Sequence, residues 1–218
     1  MTSHPADSLP IAQRLALSYA PARARDACLT LFLLDNRLAD IMRQRSEIII
    51  AQMKLAWWRD RLSEDPRAWP QGEPLLARLQ QWSAAPGDLL PLVNGWERLL
   101  ADDLTASAMH EFAQGRALAW QALGAVSAGG GGAQHVQQAA HEWALADLAL
   151  NLGTAEEAQA ARTLALAGPW QAKALPRAVR PLAVLRGLSR RALDRGSTEV
   201  LDGPGAALLA LRIGLTGR

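Results

Sequence analysis

Apolar residues recur at helical spacing through almost the whole chain. The first long segment, from near Pro21 to near Arg43, carries an apolar stripe formed by Ala27, Leu31, Leu34 and Leu38. Residues three or four positions apart lie on one face of an α-helix, so this stripe predicts a helix with a single buried face. Proline is compatible with the first turn of a helix, which agrees with a start near Pro21.

The same spacing predicts that most of the remaining chain is helical. The predicted helices run from about Ser46 to Leu62, Glu73 to Trp82, Leu89 to Asp103, Thr105 or Ser107 to Ser127, Ala133 to Leu152, Thr154 onwards, Pro181 to Arg195, and Gly205 to Leu215. Ser46 and Thr154 are suitable N-caps, and Glu157 completes a capping box with Thr154. The four glycines 129–132 predict a flexible connection, because glycine loses the most backbone freedom on ordering. No segment reads convincingly as a strand, so the predicted fold class is all-α.

Composition agrees with that class and limits the possible functions. Half of the 218 residues are apolar, which is enough for a sizeable core. The net charge is only +2 and the basic residues are scattered, so no nucleic-acid partner is expected. No apolar run is long enough to span a bilayer, and the N-terminal segment lacks a signal-peptide core. The single cysteine, Cys28, suits a reducing compartment, so we expect a cytoplasmic protein.

Four segments, in order and spacing, resemble the squalene/phytoene synthase family. They are 31–62 (LFLLDNRLADIMRQRSEIIIAQMKLAWWRDRL), 91–120 (beginning PLVNGWERLLADDLT), 138–152 (QAAHEWALADLALNL) and 175–185 (LPRAVRPLAVL). The chain is closer to the degenerate branch of that family, which includes an assembly factor for respiratory complex I, than to working synthases. The resemblance implies one shortened, isoprenoid-synthase-like helical domain over residues 1–218, with its core at about 15–195.

The resemblance also implies a chemistry. Working members use magnesium to ionise an allylic diphosphate, and aspartates on two facing helices hold the metal. In the first aspartate-rich motif of this chain, Ala39 and Arg43 stand at two acidic positions, so only Asp40 remains. On the second helix, Asp147 and Asn151 lie four residues apart and therefore on one face. Asp40, Asp147 and Asn151 are the candidate metal ligands, because magnesium prefers such oxygen atoms.

Basic side chains surround the remaining aspartate. Arg37 and Arg43 lie three residues on either side of Asp40, so both can pair with its carboxylate on a solvated helix face. The same arginines could instead attract an anionic head group without a metal. With Arg59 and Trp58 of the next predicted helix added, the candidate substrate-binding residues are Arg37, Arg43, Arg59 and Trp58.

Helical geometry separates residues that are close in sequence. Trp57 and Trp58 differ by about 100° around a helix, so one is expected in the core and the other over a groove or a ligand surface. Asp35 lies five residues before Asp40, which places it roughly 140° around the helix. Asp35 is therefore not expected to join a metal site with Asp40.

Two hypotheses about function follow. In the first, the chain is a non-catalytic member of the family that binds an unknown protein partner or an isoprenoid- or lipid-like ligand, as a binding or assembly factor, with no cofactor. In the second, it is a prenyl transferase that condenses farnesyl or geranylgeranyl diphosphates with magnesium at an atypical site. We favour the first because most of the metal-binding aspartates are missing. A helical domain unrelated to the family is a third interpretation.

Overall fold

The computed structural model describes residues 5–43, 48–82, 84–101, 103–128, 132–171 and 173–217. These residues form helices and loops and contain no β-strand, which confirms the all-α prediction. The α-helices are α1 (Ile11–Ser18), α2 (Ala22–Arg43), α3 (Ile48–Ser63), α4 (Pro74–Leu79), α5 (Leu90–Arg98), α6 (Ala106–Ala128), α7 (Ala133–Asn151), α8 (Ala155–Ala167), α9 (Arg180–Arg195) and α10 (Pro204–Thr216). Short 3-10 helices at Pro5–Ser8, Pro66–Ala68, Pro86–Leu89 and Arg177–Val179 connect them.

Side-chain caps fix the start of two helices as the sequence predicts. The hydroxyl of Thr105 accepts a hydrogen bond from the backbone N–H three residues on, at 3.2 Å, immediately before α6. The hydroxyl of Thr154 accepts the backbone N–H of Glu157 at 3.3 Å and begins α8. Each cap satisfies an N–H group that has no partner within its own helix. The predicted cap Ser46 and the glycines 129–131 lie outside the described residues.

Two helices are shorter than the sequence pattern predicts. The helix predicted from Leu89 to Asp103 ends at Arg98, and the one predicted from Glu73 to Trp82 ends at Leu79. In the turns that follow, N–H groups bond to carbonyl groups three residues back rather than four. Such bonds tighten the chain and end the regular helix. The turns bury leucine and tryptophan side chains, so tertiary packing decides both ends.

The antiparallel pair α6 and α7 forms the centre of the fold. α5 packs on α6, α8 and α9 pack on α7, and α1 and α10 pack on α9. α2 contacts α3, α4, α5 and α6. Buried apolar side chains from all these helices form one continuous core. Within the described part of the chain, no helix is both long enough and apolar enough to cross a membrane, as predicted.

Glycine allows α5 and α6 to pack closely. A Cβ atom added at Gly115 would lie 2.2 Å from the carbonyl oxygen of Pro91, a distance that no side chain can accept. A Cβ atom at Gly95 would lie 3.1 Å from the carbonyl oxygen of Phe112. The close approach brings Trp96 of α5 against Phe112 of α6, with 4.8 Å between their ring centroids. These two rings form part of the candidate site.

Cys28 is fully buried in α2. Burial raises the pKa of its thiol to about 12, so it stays protonated at neutral pH. Its Sγ lies 3.5 Å from the carbonyl oxygen of Ala178. Cys28 therefore acts as a small core side chain rather than as a nucleophile.

Candidate functional site: a buried arginine beside the central pocket

Arg116 lies in the helical core and bridges carboxylates from two other helices. Its side chain is 4% exposed. Its Nε and Nη2 donate to Asp35 of α2, with 3.0 Å between Nε and Oδ2. Its Nη1 donates to Oδ2 of Asp147 of α7 at 2.7 Å. Asp35 is as buried as Arg116, whereas the Asp147 side chain is 30% exposed. One guanidinium group thus pairs with two carboxylates, and these three charged groups together carry a net charge of −1.

Aromatic rings enclose the same guanidinium group. Its carbon lies 4.1 Å from the ring centroid of Trp143 and 5.2 Å from that of Phe112. Trp96 donates from Nε1 to Oδ1 of Asp35 at 2.8 Å. Rings at these distances attract a cation and exclude water from it. The Arg116 cluster, as we call it, consists of Arg116, Asp35, Asp147 and Trp96 and joins α2, α5, α6 and α7.

The two carboxylates of the cluster keep Arg116 protonated. Burial alone would lower the pKa of Arg116, but the nearby carboxylates of Asp35 and Asp147 outweigh burial and hold that pKa above its usual value. Arg116 is therefore a permanent cation in the core. Removing it would leave the buried Asp35 without a partner of opposite charge, a large penalty in such surroundings.

A pocket of about 270 Å³ opens beside the Arg116 cluster, and we call it the central pocket. Trp96, Phe112 and Asp147 line the pocket and also belong to or contact the cluster. The other walls are mainly apolar, and they include Ala39, Met42, Leu99, Leu104, Leu148 and Leu152. Polar groups come from Asp147, Asn151, Arg43, Thr154 and Glu157. A concave, mostly apolar wall with a few polar groups is typical of small-molecule sites.

No family model, curated protein or solved structure matches the chain. Among the described residues, no three or more His, Cys, Asp or Glu side chains are grouped so that they could hold a metal ion. The carboxylates of Asp35 and Asp147 meet at the guanidinium of Arg116, so the residues beside the central pocket do not fit a magnesium centre.

The three candidate metal ligands line two different pockets. Asp147 and Asn151 share a helix face, as predicted, and Nδ2 of Asn151 lies 3.3 Å from Oδ1 of Asp147. Asp40 is 55% exposed, and its Oδ1 lies 2.5 Å from Nη2 of Arg43. Asp40 lines a different pocket, together with Arg37 and other residues of α2 and α3. The structure therefore does not gather Asp40 and Asp147 around one pocket.

The candidate substrate-binding arginines are each paired with a carboxylate. By its spacing Arg37 can pair with Asp40, but in the structure it pairs with Glu73 at 3.1 Å, because the start of α4 lies beside α2. Arg59 donates to Glu97 of α5, and Arg43 holds Asp40. These three cations are largely neutralised within the protein, which weakens them as an anion site.

The two adjacent tryptophans of α3 point in different directions, as predicted. Trp58 is 3% exposed and packs in the core, whereas Trp57 is 37% exposed. The guanidinium carbon of Arg61 lies 5.8 Å from the Trp57 ring centroid. Trp58 also lines the pocket that contains Asp40, but most of its surface is covered by the core. Its main role is therefore packing.

Asp35 and Arg116 are functional candidates that the sequence analysis missed. A signal was present, because each is a charged residue within an apolar helical stripe. Asp35 lies four residues after Leu31 and three before Leu38, and Arg116 lies four residues before Trp120. A charged residue at such a position needs a buried partner of opposite charge.

A second buried acid lies on α7. Glu142 is 2% exposed, and it accepts hydrogen bonds from Nε of Arg186 at 2.6 Å and from the backbone N–H of Trp170 at 2.8 Å. Next to it, the rings of His110 and His141 stack with their centroids 5.4 Å apart. Burial, together with the charge of His110, lowers the pKa of His141, while Glu142 opposes this shift. A state in which both His110 and His141 carry a positive charge is therefore unfavourable.

Proposed function

We propose that this chain is a non-catalytic helical protein, related to the squalene/phytoene synthases, that binds an isoprenoid- or lipid-like molecule in its central pocket. The observation that carries the proposal is the Arg116 cluster. A magnesium-dependent synthase needs carboxylate oxygens that are free to bind metal. In this chain Asp35 and Asp147 both accept hydrogen bonds from the guanidinium of Arg116, which takes the place that a metal ion would need between the two carboxylates.

The remaining oxygen ligands do not compensate for this loss. Asn151 supplies a neutral amide, and its Nδ2 already donates to the backbone carbonyl of Asp147 at 2.8 Å. Asp40 belongs to another pocket and pairs with Arg43. A magnesium ion that bridges a diphosphate to this protein would therefore lack its carboxylate ligands, and ionisation of an allylic diphosphate is not expected.

The lining of the central pocket favours an apolar ligand with a neutral polar end. Leucine, methionine and aromatic side chains would bury a hydrocarbon chain, at about 25 cal/mol per Å² of apolar surface removed from water. Asn151 and Thr154 offer hydrogen-bonding groups. The acids Asp147 and Glu157 would repel a diphosphate, and the one cation of the described lining, Arg43, already pairs with Asp40. A prenyl alcohol fits these groups better than the corresponding diphosphate does.

The test is calorimetric titration of farnesol and of farnesyl diphosphate, each with and without magnesium. We expect farnesol to bind, with the same affinity in the presence and absence of magnesium. We expect farnesyl diphosphate to bind more weakly and to release no diphosphate over long incubation. The pocket-filling variant Ala39→Phe should lose farnesol binding, because Ala39 forms part of the pocket wall.

The matched control is Ala160→Phe, which makes the same change on an exposed face of α8 and should bind farnesol like the unmodified protein. Farnesyl diphosphate binding that requires magnesium, followed by diphosphate release and lost in Asp40→Ala, would overturn the proposal in favour of the prenyl transferase hypothesis. Equal farnesol binding in the Ala39→Phe and Ala160→Phe variants would also overturn it, because the ligand would then bind outside the central pocket.

A further inference from the structure

The helix α9 is strongly basic, and the fold adds further cations to it. α9 carries five arginines and one acid, Asp194. α10 contributes Arg212, and the segment that follows α8 contributes Lys173 to the same cleft, whose volume is about 530 Å³. The cations that line this α9–α10 cleft are Lys173, Arg186, Arg190, Arg191, Arg195 and Arg212. Among the described lining residues Asp194 is the only acid, so this part of the cleft carries a large excess of positive charge.

Most of this charge is not neutralised within the described part of the chain. Arg186 pairs with Glu142, and Arg190 pairs with Asp194. Arg195 and Arg212, by contrast, have no carboxylate within ion-pair distance among the described residues. Repulsion between neighbouring cations costs free energy, and an anionic ligand would remove that cost.

Other contacts hold the cleft in shape. The backbone of Trp170 has a φ of +41°, in the left-handed region that residues other than glycine seldom adopt. Its N–H donates to the buried Glu142 at 2.8 Å, and its Nε1 donates to the carbonyl oxygen of Ala165 at 2.7 Å. The guanidinium carbons of Arg186 and Arg190 lie 5.3 Å and 5.0 Å from the Trp170 ring centroid. The ring therefore orders two of the cations before any ligand arrives.

The cleft also has an apolar wall. The side chain of Ile213 of α10 packs over Gly187 of α9, where an added Cβ atom would lie 2.2 Å from Cδ1 of Ile213. Ile213 and Leu209 of α10 and Leu175 line the cleft beside the cations. The arginines line the same cavity as these apolar side chains, which favours an anion with an apolar portion over a nucleic-acid strand.

We propose that the α9–α10 cleft binds a molecule that carries a phosphate group next to an apolar portion. Guanidinium groups match phosphate oxygens in geometry and form charge-assisted hydrogen bonds with them. The leucine, isoleucine and tryptophan surfaces would cover the apolar portion. A small phosphorylated compound and a phospholipid head group share this chemistry. The cleft and the central pocket have no lining residue in common, so this site is separate from the proposed farnesol site.

The experiment compares two double variants that remove the same charge. Arg195→Gln/Arg212→Gln removes two cations of the cleft that have no carboxylate partner among the described residues. Arg23→Gln/Arg25→Gln removes two exposed arginines at the start of α2, outside the cleft. Phenyl phosphate is titrated calorimetrically at low salt, without divalent cations. We expect the first variant to weaken its binding by about tenfold or more, and the second to change it by less than about twofold.

A second assay distinguishes the source of the phosphate. Sedimentation with phosphatidylcholine vesicles, with and without phosphatidic acid, is measured for the same proteins. Binding of phenyl phosphate alone supports a small phosphorylated compound, whereas sedimentation that needs phosphatidic acid and is lost in the cleft variant supports a lipid head group. Absence of binding in both assays, or equal losses in the two double variants, would overturn the proposal. A single-stranded oligonucleotide that binds more tightly than phenyl phosphate would overturn it as well.

Discussion

Arginine side chains occupy two contrasting regions, the core around Arg116 and the cleft between α9 and α10. In the core, one guanidinium meets two carboxylates and three aromatic rings, and its side chain is almost completely covered. In the cleft, several guanidinium groups face one cavity with a single acid among them. The number of carboxylates that the fold brings to each region decides whether an arginine stabilises the protein or is available to a ligand.

The core region should be the more sensitive to loss of its cation. Arg116→Met leaves Asp35 buried without its cation, so we expect the free energy of unfolding to fall by about 3–5 kcal/mol, as when one partner of a buried ion pair is removed. Urea unfolding followed by circular dichroism measures this change. The control is Arg98→Met, which breaks an exposed pair with Glu111 and should cost less than about 1 kcal/mol. Equal costs in the two variants would show that the Arg116 cluster does not hold the helices together.

The two acids of the cluster should contribute unequally. Asp35 is almost fully buried and accepts hydrogen bonds from Trp96 and Arg116, so Asp35→Asn should cost about 2–3 kcal/mol. Asp147 is partly exposed, and water can replace some of its contacts, so Asp147→Asn should cost about 1 kcal/mol. The same urea measurement compares them. A larger loss of stability in Asp147→Asn would mean that the Arg116–Asp147 pair, and not the buried Arg116–Asp35 pair, holds Arg116 in place.

The sequence predicted the helices well because their signals are local. Apolar spacing located α2 and α7, and the capping pattern located the start of α8 at Thr154. The different directions of Trp57 and Trp58 followed from the angle of about 100° between neighbouring residues on a helix. The premature end of α5 at Arg98 was not predicted, because it depends on how the following turn packs into the core.

The site was harder to predict because its residues come from four helices. Asp147 was identified, but the partner assigned to it was Asp40 and not Arg116. Asp35 was set aside because it lies on the other side of α2 from Asp40, although that side is the one that faces the core. Which helix faces Asp35 depends on tertiary packing, including the close contact at Gly115. A charged residue in an apolar stripe signals burial, but it does not identify its partner.

The histidine pair on α6 and α7 offers a smaller, pH-dependent comparison. Burial and the charge of His110 lower the pKa of His141 in the folded state, so the unfolded chain binds a proton more readily. The contribution of His141 to stability is therefore complete above the unfolded pKa of about 6.5 and decreases as the pH falls below it. The variant His141→Gln should lose less stability than the unmodified protein between about pH 7 and pH 5 in thermal unfolding scans. Identical pH profiles would show that this pair does not titrate on unfolding.

The cleft variant should have the smallest effect on stability, even though it removes two cations. Arg195 and Arg212 have no carboxylate partner among the described residues, so Arg195→Gln/Arg212→Gln leaves no acid uncompensated and reduces repulsion within the cleft. We expect the free energy of unfolding to stay within about 0.5 kcal/mol of the unmodified protein, and to rise rather than fall at low salt. Arg23→Gln/Arg25→Gln is the control for the change in net charge. A loss of more than about 1 kcal/mol in the cleft variant alone would show that these arginines stabilise the fold, as Arg116 does, and would remove the contrast between the two regions.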